Sequence, residues 1–193
     1  GTSTSGITDG EIAYKAKLQD GAFPKHYHYS KQELGNTSEF VAQYFGITGP
    51  SYVISTACSS SGRVFISARR MLNAGLADAV IVGGTDTICQ LTLNGFNGLE
   101  ALSNTLCQPF SSHRSGINIG ESAAFMLLCN TPIFQSKQSE QTQLKQVALL
   151  GVGDSSDAHH ISAPHPEGKG ALESMNNALK DANLTPNDIG YIN

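Results

Sequence analysis

The sequence predicts an α/β layered fold, and three observations carry that prediction. Apolar runs of strand length alternate with stretches whose apolar residues recur at helical spacing. The runs Ala79-Val80-Ile81-Val82 and Ala123-Ala124-Phe125-Met126-Leu127-Leu128 are continuous rather than alternating, as expected of strands buried on both faces. Glycine is plentiful, at 20 of 193 residues, and tryptophan is absent, which suits tight turns between layers better than a stacking platform. A chain of this length can bury the core of one domain.

The small residues Gly1 to Gly6 suggest a strand-to-helix turn, and Asp9 to Leu18 reads as a short helix. Phe23 to Ser30 is a loop rich in Pro, His and Tyr. A helix is expected over Ser38 to Phe45, with Phe40, Val41, Tyr44 and Phe45 on one face and Gly46 closing it. Gly49-Pro50 turns into a strand, Tyr52-Val53-Ile54-Ser55-Thr56. After it Val64, Phe65, Ala68, Met71 and Leu72 form one face of a helix that Gly75 caps. The strand Ala79 to Val82 ends at Gly83-Gly84. Gly116 to Glu121 is a turn before the strand Ala123 to Leu128, and Ser136 to Gln143 is a polar surface stretch. Val147 to Val152 reads as a strand and Asp154 to Gly170 as a long loop. Ala171 to Ala182 reads as an amphipathic helix with Leu172, Met175, Ala178, Leu179 and Ala182 inward. Thr185-Pro186-Asn187-Asp188 turns toward a final strand, Ile189 to Asn193. Both ends read as cuts through a larger fold.

Twelve Lys and Arg against sixteen Asp and Glu leave a net charge of −4, which argues against a nucleic-acid binder or a polybasic membrane anchor. The longest apolar runs are too short to span a bilayer. Cys58, Cys89, Cys107 and Cys129 show neither a CxxC pair nor metal-finger spacing, so no metal is expected. No signal peptide is visible, and reduced thiols in a cytoplasmic setting are the expectation.

Chemistry concentrates at Thr56-Ala57-Cys58-Ser59-Ser60-Ser61-Gly62, where a cysteine falls between a strand and a helix. A thiol at a helix start lies at the positive end of the helix dipole, which favours the reactive thiolate. Read without its flanks, Cys58 fits better as a small buried hydrophobe, as most free cysteines are. The small neighbours Ala57, Ser59, Ser60 and Gly62 leave room for a substrate to approach.

Cys58 and its neighbours, Gly83-Gly84-Thr85-Asp86, and the stretch from Pro109-Phe110 through Arg114 to Gly120-Glu121 together resemble the β-ketoacyl-acyl-carrier-protein synthases of the thiolase superfamily. The opening Gly1 to Ile7, Asp157-Ala158-His159-His160 and the closing Asp188 to Asn193 fit the same family, in its order. The resemblance implies a thiolase-like layered αβαβα fold, incomplete in this chain, with residues 1–193 forming a partial condensing-enzyme domain truncated at both ends. It implies that Cys58 accepts an acyl chain as a thioester and that a malonyl thioester then loses CO₂ and attacks it. The Cys58 N–H would be one oxyanion donor. Phe110 and Thr4 match positions that line the acyl pocket; read alone, Phe110 is core packing and Thr4 is turn chemistry. The implied partners are an acyl carrier protein, acyl and malonyl thioesters, and a second subunit in a homodimer or related heterodimer, with no cofactor, nucleic acid or membrane. Tyr27-His28-Tyr29 is either part of that subunit contact or an exposed loop.

Departures are visible too. The family's two histidines belong to a segment beyond Asn193, so this chain alone is not expected to condense substrates. Gln108-Pro109-Phe110-Ser111 and Arg114-Ser115-Gly116 lack three charges usual in the family. Arg114 and Glu121 could pair across this turn or stay solvated. His113, His159, His160 and His165 could in principle serve Cys58 as a base, which would make the chain a cysteine hydrolase; exposed loop histidines are the plainer reading. A non-catalytic chain-length partner of a condensing enzyme is the other alternative, although such partners typically lack the nucleophile that this chain retains.

Overall fold

A computed structural model describes residues 1–130, 147–161 and 163–193. It divides into two compact units, Gly1–Val64 with Ile81–Leu127, and Phe65–Val80 with Leu128–Asn193. Five α-helices and two strands are described: α1 Ile7–Asp20, α2 Asn36–Phe45, α3 Ser60–Asn73, β1 Ala79–Asp86, α4 Gln90–Gly98, β2 Ser122–Cys129 and α5 Lys169–Ala182. Short 3₁₀ turns lie at Tyr29–Gln32 and Pro186–Asp188. Helix α3 begins in the first unit and continues into the second. The fold class read from the sequence holds, and β1 and β2 pair as a two-stranded sheet.

In the first unit, residues 1–5 run beside the end of β1. The Gly1 nitrogen donates to the Gly83 carbonyl at 2.8 Å, and the Thr85 N–H donates to the Gly1 carbonyl at 3.1 Å. Helix α1 follows at once and stops at Gly21, whose φ of 78° suits the left-handed region. The turn at Tyr29–Gln32 packs on α1 so closely that a Cβ at Gly10 would strike the Gln32 side chain. Phe23 stacks on Tyr27 with ring centroids 5.2 Å apart, meets Tyr14 edge-on and lies under the Lys17 ammonium. Tyr29 stays exposed in this unit.

Four helices end in the same way. In α3 the Leu76 N–H reaches back to Met71 and the Gly75 N–H to Leu72, the paired bonds of a Schellman motif. The ends of α2 at Gly46, α4 at Glu100 and α5 at Asn183 repeat both bonds. Glycine and asparagine suit the required left-handed conformation; Glu100, at φ 54°, takes it against the clash of its own Cβ.

Several expectations fail on specific physical grounds. Helix α4 is absent from the sequence reading, because Gln90–Gly98 holds two glycines and two asparagines, poor helix formers. Its start is held from outside: the Glu11 carboxylate accepts the Gln90 and Leu91 N–H groups at 2.9 and 2.7 Å. Tyr52–Ser55, Val147–Val152 and Ile189–Asn193 lie in no strand among the described residues. Apolar composition favours a pleated surface, but a strand exists only where a neighbour supplies the ladder. Strand β2 was expected to be buried on both faces, yet Phe125, Met126 and Leu127 are exposed, and in β1 only Val82 is fully buried. Phe40, Tyr44 and Phe45 of α2 are exposed as well. The polar stretch Ser136–Gln143 lies outside the described residues.

In the second unit, α3 contributes buried Ile66, Ala68 and Leu72, while Phe65 and Met71 are half-buried. Residues 151–153 lie against α5: a Cβ at Gly153 would collide with the Ser174 carbonyl, and one at Gly151 with Ala178 and Ala182. Leu172 and Met175, assigned to the inward face, are exposed instead. Arg69 is paired with Asp181, whose carboxylate also accepts the Val152 N–H at 2.9 Å. Asp157 holds the start of α5 by accepting the Gly170 N–H at 2.8 Å. No helix among the described residues is long and apolar enough to cross a membrane.

Candidate active site

Cys58 is exposed, two residues ahead of α3, on a turn whose preceding residue, Ala57, has φ 51°. A side-chain-bearing residue in the left-handed region persists only where surrounding contacts hold it. Those contacts are short-range. The Ser59 N–H donates to the Thr56 carbonyl at 3.3 Å and the Ser60 N–H to the Ala57 carbonyl at 3.0 Å. The Ser59 hydroxyl donates to the Thr56 carbonyl at 2.9 Å and lies 3.0 Å from the Thr56 hydroxyl. The Gly62 and Arg63 N–H groups both bond the Ser59 carbonyl, which starts the helix. Among the described residues the Cys58 N–H has no backbone acceptor.

Ser60 departs from its expected role as mere free space. It is 1% exposed and turned inward, accepting the Thr56 N–H at 2.8 Å and donating to the Ala57 carbonyl at 2.6 Å. The first turn of α3 is seated by two glycines. A Cβ at Gly1 would meet the Ser60 backbone, and one at Gly84 would collide with the Ser61 side chain. Glycine is required at both for close approach, which explains Gly84 in the motif that ends β1.

Asp86, four residues beyond Val82, ties this arrangement to the N-terminal segment. Its Oδ1 accepts the Ser3 N–H at 2.7 Å, the Thr4 N–H at 3.0 Å, and the Thr2 and Thr4 hydroxyls at 3.1 Å. Partial burial pulls its pKa upward, but these donors, the Ser3 and Thr4 N–H groups foremost, outweigh that and hold it below the ordinary carboxylate value. Thr2 and Asp86 were missed as site-forming residues, and the only signal was the small polar run facing Gly83-Gly84-Thr85-Asp86.

Thr4 is buried, and its hydroxyl is already engaged: it donates to Asp86 and accepts the Thr87 N–H at 2.9 Å. Phe110 is 89% exposed at φ 65°, at the tip of a loop, so the core-packing reading of this residue fails. The limbs of that loop are stitched by the Asn118 side chain, which accepts the Cys107 N–H and donates to the Ser103 and Thr105 carbonyls. No described contact joins Cys58, Thr4 and Phe110 directly. Arg114 and Glu121 do not pair: Arg114 donates to the Ser111 carbonyl, and Glu121 accepts the Ile88 N–H.

The second unit holds the histidine loop. The His159 and His165 rings lie 4.7 Å apart, the His165 N–H donates to Asp157, and the His165 Nδ1 accepts the Glu167 N–H. The Asp157 carboxyl is held low, chiefly by the His165 N–H. Among the described residues no group of three or more His, Cys, Asp or Glu is placed to hold a metal ion.

A chain with this turn matches a known family along its length. Residues 5–132 match the β-ketoacyl synthase N-terminal domain, and residues 147–193 its C-terminal domain. The chain belongs to the β-ketoacyl synthase family.

This β-ketoacyl synthase chain is 34% identical over 202 residues to 3-oxoacyl-[acyl-carrier-protein] synthase 2 of Staphylococcus aureus, covering all of this chain and 49% of that protein. It is 34% identical over 165 residues to the mitochondrial 3-oxoacyl-[acyl-carrier-protein] synthase of Arabidopsis thaliana, covering 81% of this chain and 35% of that protein. Among solved structures, a chain of the ketosynthase ApeO in complex with its chain length factor ApeC, from Xenorhabdus doucetiae, superposes with a TM-score of 0.87 at 47% identity. That match covers all of this chain and 46% of the other. The β-ketoacyl synthase chain therefore has the thiolase-like ketosynthase fold. It spans about half the length of the curated relatives it matches.

Proposed function

We propose that this chain carries the acyl-accepting half of a β-ketoacyl carrier-protein synthase, with Cys58 as the nucleophile. The carrying observation is an exposed thiol on a strained turn at the start of α3, within a chain of the β-ketoacyl synthase family. The Cys58 sulfur attacks the carbonyl of an acyl thioester, with the oxyanion received by the Cys58 N–H. The Cys58 S–C bond forms, the carrier's C–S bond breaks, and the proton given up by Cys58 ends on the departing carrier thiol. In the whole enzyme a malonyl thioester then loses CO₂, and its carbanion attacks the Cys58 thioester, giving a β-ketoacyl thioester and expelling Cys58 as a thiolate that takes up a proton from solvent.

The partner is an acyl carrier protein, as the names of the Staphylococcus and Arabidopsis relatives indicate for those proteins. A homodimer or related heterodimer is proposed, the second after the ketosynthase–chain length factor pair from Xenorhabdus. Thr4 contributes through the turn it braces, and Phe110 lines the acyl pocket from its loop. The reaction belongs to fatty-acid or polyketide synthesis in the cytoplasm and needs no cofactor. Retention of Cys58 supports this reading over that of a non-catalytic chain-length partner.

Incubation with octanoyl-pantetheine, followed by peptide mass spectrometry, tests the proposal. One octanoyl group is expected on Cys58 and none after Cys58→Ala. Equal acylation of all four cysteines, or of none, rules the assignment out. Octanoyl release faster than its loading would instead mark a hydrolase.

A further inference from the structure

We propose that Ser60 is a positioning residue for Cys58: its buried hydroxyl clips Thr56 to Ala57 and so aims the Cys58 N–H at the substrate oxygen. The inference rests on the acyl-acceptor reading of Cys58 and goes past it, because Ser60 touches no substrate. Three consecutive serines follow Cys58, and the structure treats them differently. Ser59 and Ser61 are exposed, whereas Ser60 is buried. Its Oγ fills both of its roles across the turn, accepting the Thr56 N–H at 2.8 Å and donating to the Ala57 carbonyl at 2.6 Å.

One of those partners, the Ala57 carbonyl, lies in the peptide unit whose orientation decides where the Cys58 N–H points. Ala57 sits at φ 51°, a conformation that an alanine leaves unless it is held. The hydroxyl joins the Ser60 N–H in bonding the Ala57 carbonyl and adds a tie to the Thr56 N–H, and that carbonyl belongs to the same peptide unit as the Cys58 N–H. The C=O and N–H of a trans peptide lie in one plane and point in opposite directions, so fixing the Ala57 carbonyl on Ser60 fixes the Cys58 N–H pointing away from it. Ser60 itself cannot drift, because its backbone is pressed against Gly1, where a Cβ would have no space. An oxyanion donor acts through being pre-oriented, so a residue that holds the peptide matters to the transition state without entering it.

The inference makes a distinction that a purely structural role does not. Thioester attack passes through a tetrahedral oxyanion, whereas displacement of iodide from iodoacetamide by the same sulfur forms none. Ser60→Ala is expected to slow octanoylation of Cys58 by octanoyl-pantetheine at least tenfold while changing Cys58 alkylation by iodoacetamide less than twofold. Ser60→Thr, which restores the hydroxyl, is expected to recover octanoylation to within threefold of the wild-type rate. Amide exchange at Thr56 should quicken in Ser60→Ala, whose N–H has lost its acceptor. Equal octanoylation of the wild-type chain and Ser60→Ala overturns the inference alone. So does a parallel loss of both reactions, which marks Ser60 as structural only. A wild-type chain that takes no octanoyl group overturns the acceptor reading, and this inference with it.

Discussion

At the scale of single residues, the most heavily used group in the first unit is the Asp86 carboxylate, with four donors on one oxygen. The donors prefer the ionised form and outweigh the opposing effect of partial burial, so the folded carboxyl titrates below its unfolded counterpart. The sign follows directly. The stabilisation is fully present above the unfolded value of about 3.9 and is lost as pH falls through the lower folded value. Asp86→Asn keeps the shape and removes the charge, at an expected loss on the order of 1–2 kcal/mol at pH 7, with solvent screening allowed for. Urea unfolding at pH 7 and pH 3 checks it: the gap between the two proteins should shrink at the lower pH. A gap independent of pH would remove the charge from the account. Cys58 stood out in the sequence because its spacing between a strand-like run and a helix is local. The inward turn of Ser60 did not, since three adjacent serines look alike until burial distinguishes them.

At the scale of elements, the helices that could be read are those whose own residues specify them. Helix α2 announced itself through Phe40, Val41, Tyr44 and Phe45 and through Gly46, and α3 through an apolar face and Gly75. Helix α4 was illegible because its stabilisation comes from Glu11, 79 and 80 residues away along the chain from the two N–H groups it accepts. Three would-be strands were misread for the complementary reason, since their apolar residues describe a preference and not a neighbour. Helix α4 also ends badly. Glu100 occupies the left-handed position that Gly46, Gly75 and Asn183 fill elsewhere with less strain. Glu100→Gly should therefore stabilise the chain by about 0.5–1 kcal/mol, the relief of Cβ strain exceeding the added freedom of the unfolded glycine. Thermal unfolding monitored by circular dichroism checks it. A lower melting temperature would show that the Glu100 side chain contributes more than its backbone costs.

At the scale of the whole molecule, the layered fold was legible from apolar runs alternating with helical stretches, but their burial was not. Residues composed for a core are exposed: Phe125 at 49%, Met126 at 60% and Leu127 at 66%, with more on α2. Apolar surface of that kind binds amphipathic dyes and associates. The chain should enhance anilinonaphthalene sulfonate fluorescence, and Met126→Ser with Leu127→Ser should reduce both that signal and light scattering. Unchanged fluorescence in the double variant would place the dye elsewhere. The clamp on Asp86 has a consequence in time as well. Its donors lie 82 to 84 residues before it in the chain, so a ribosome adding about 5–20 residues per second leaves Thr2 and Thr4 waiting roughly four to seventeen seconds for their acceptor. Helix α3 emerges before β1, and the seat beneath its first turn needs both Gly1 and Gly84. The turn that carries Cys58 is thus synthesised early and locked late.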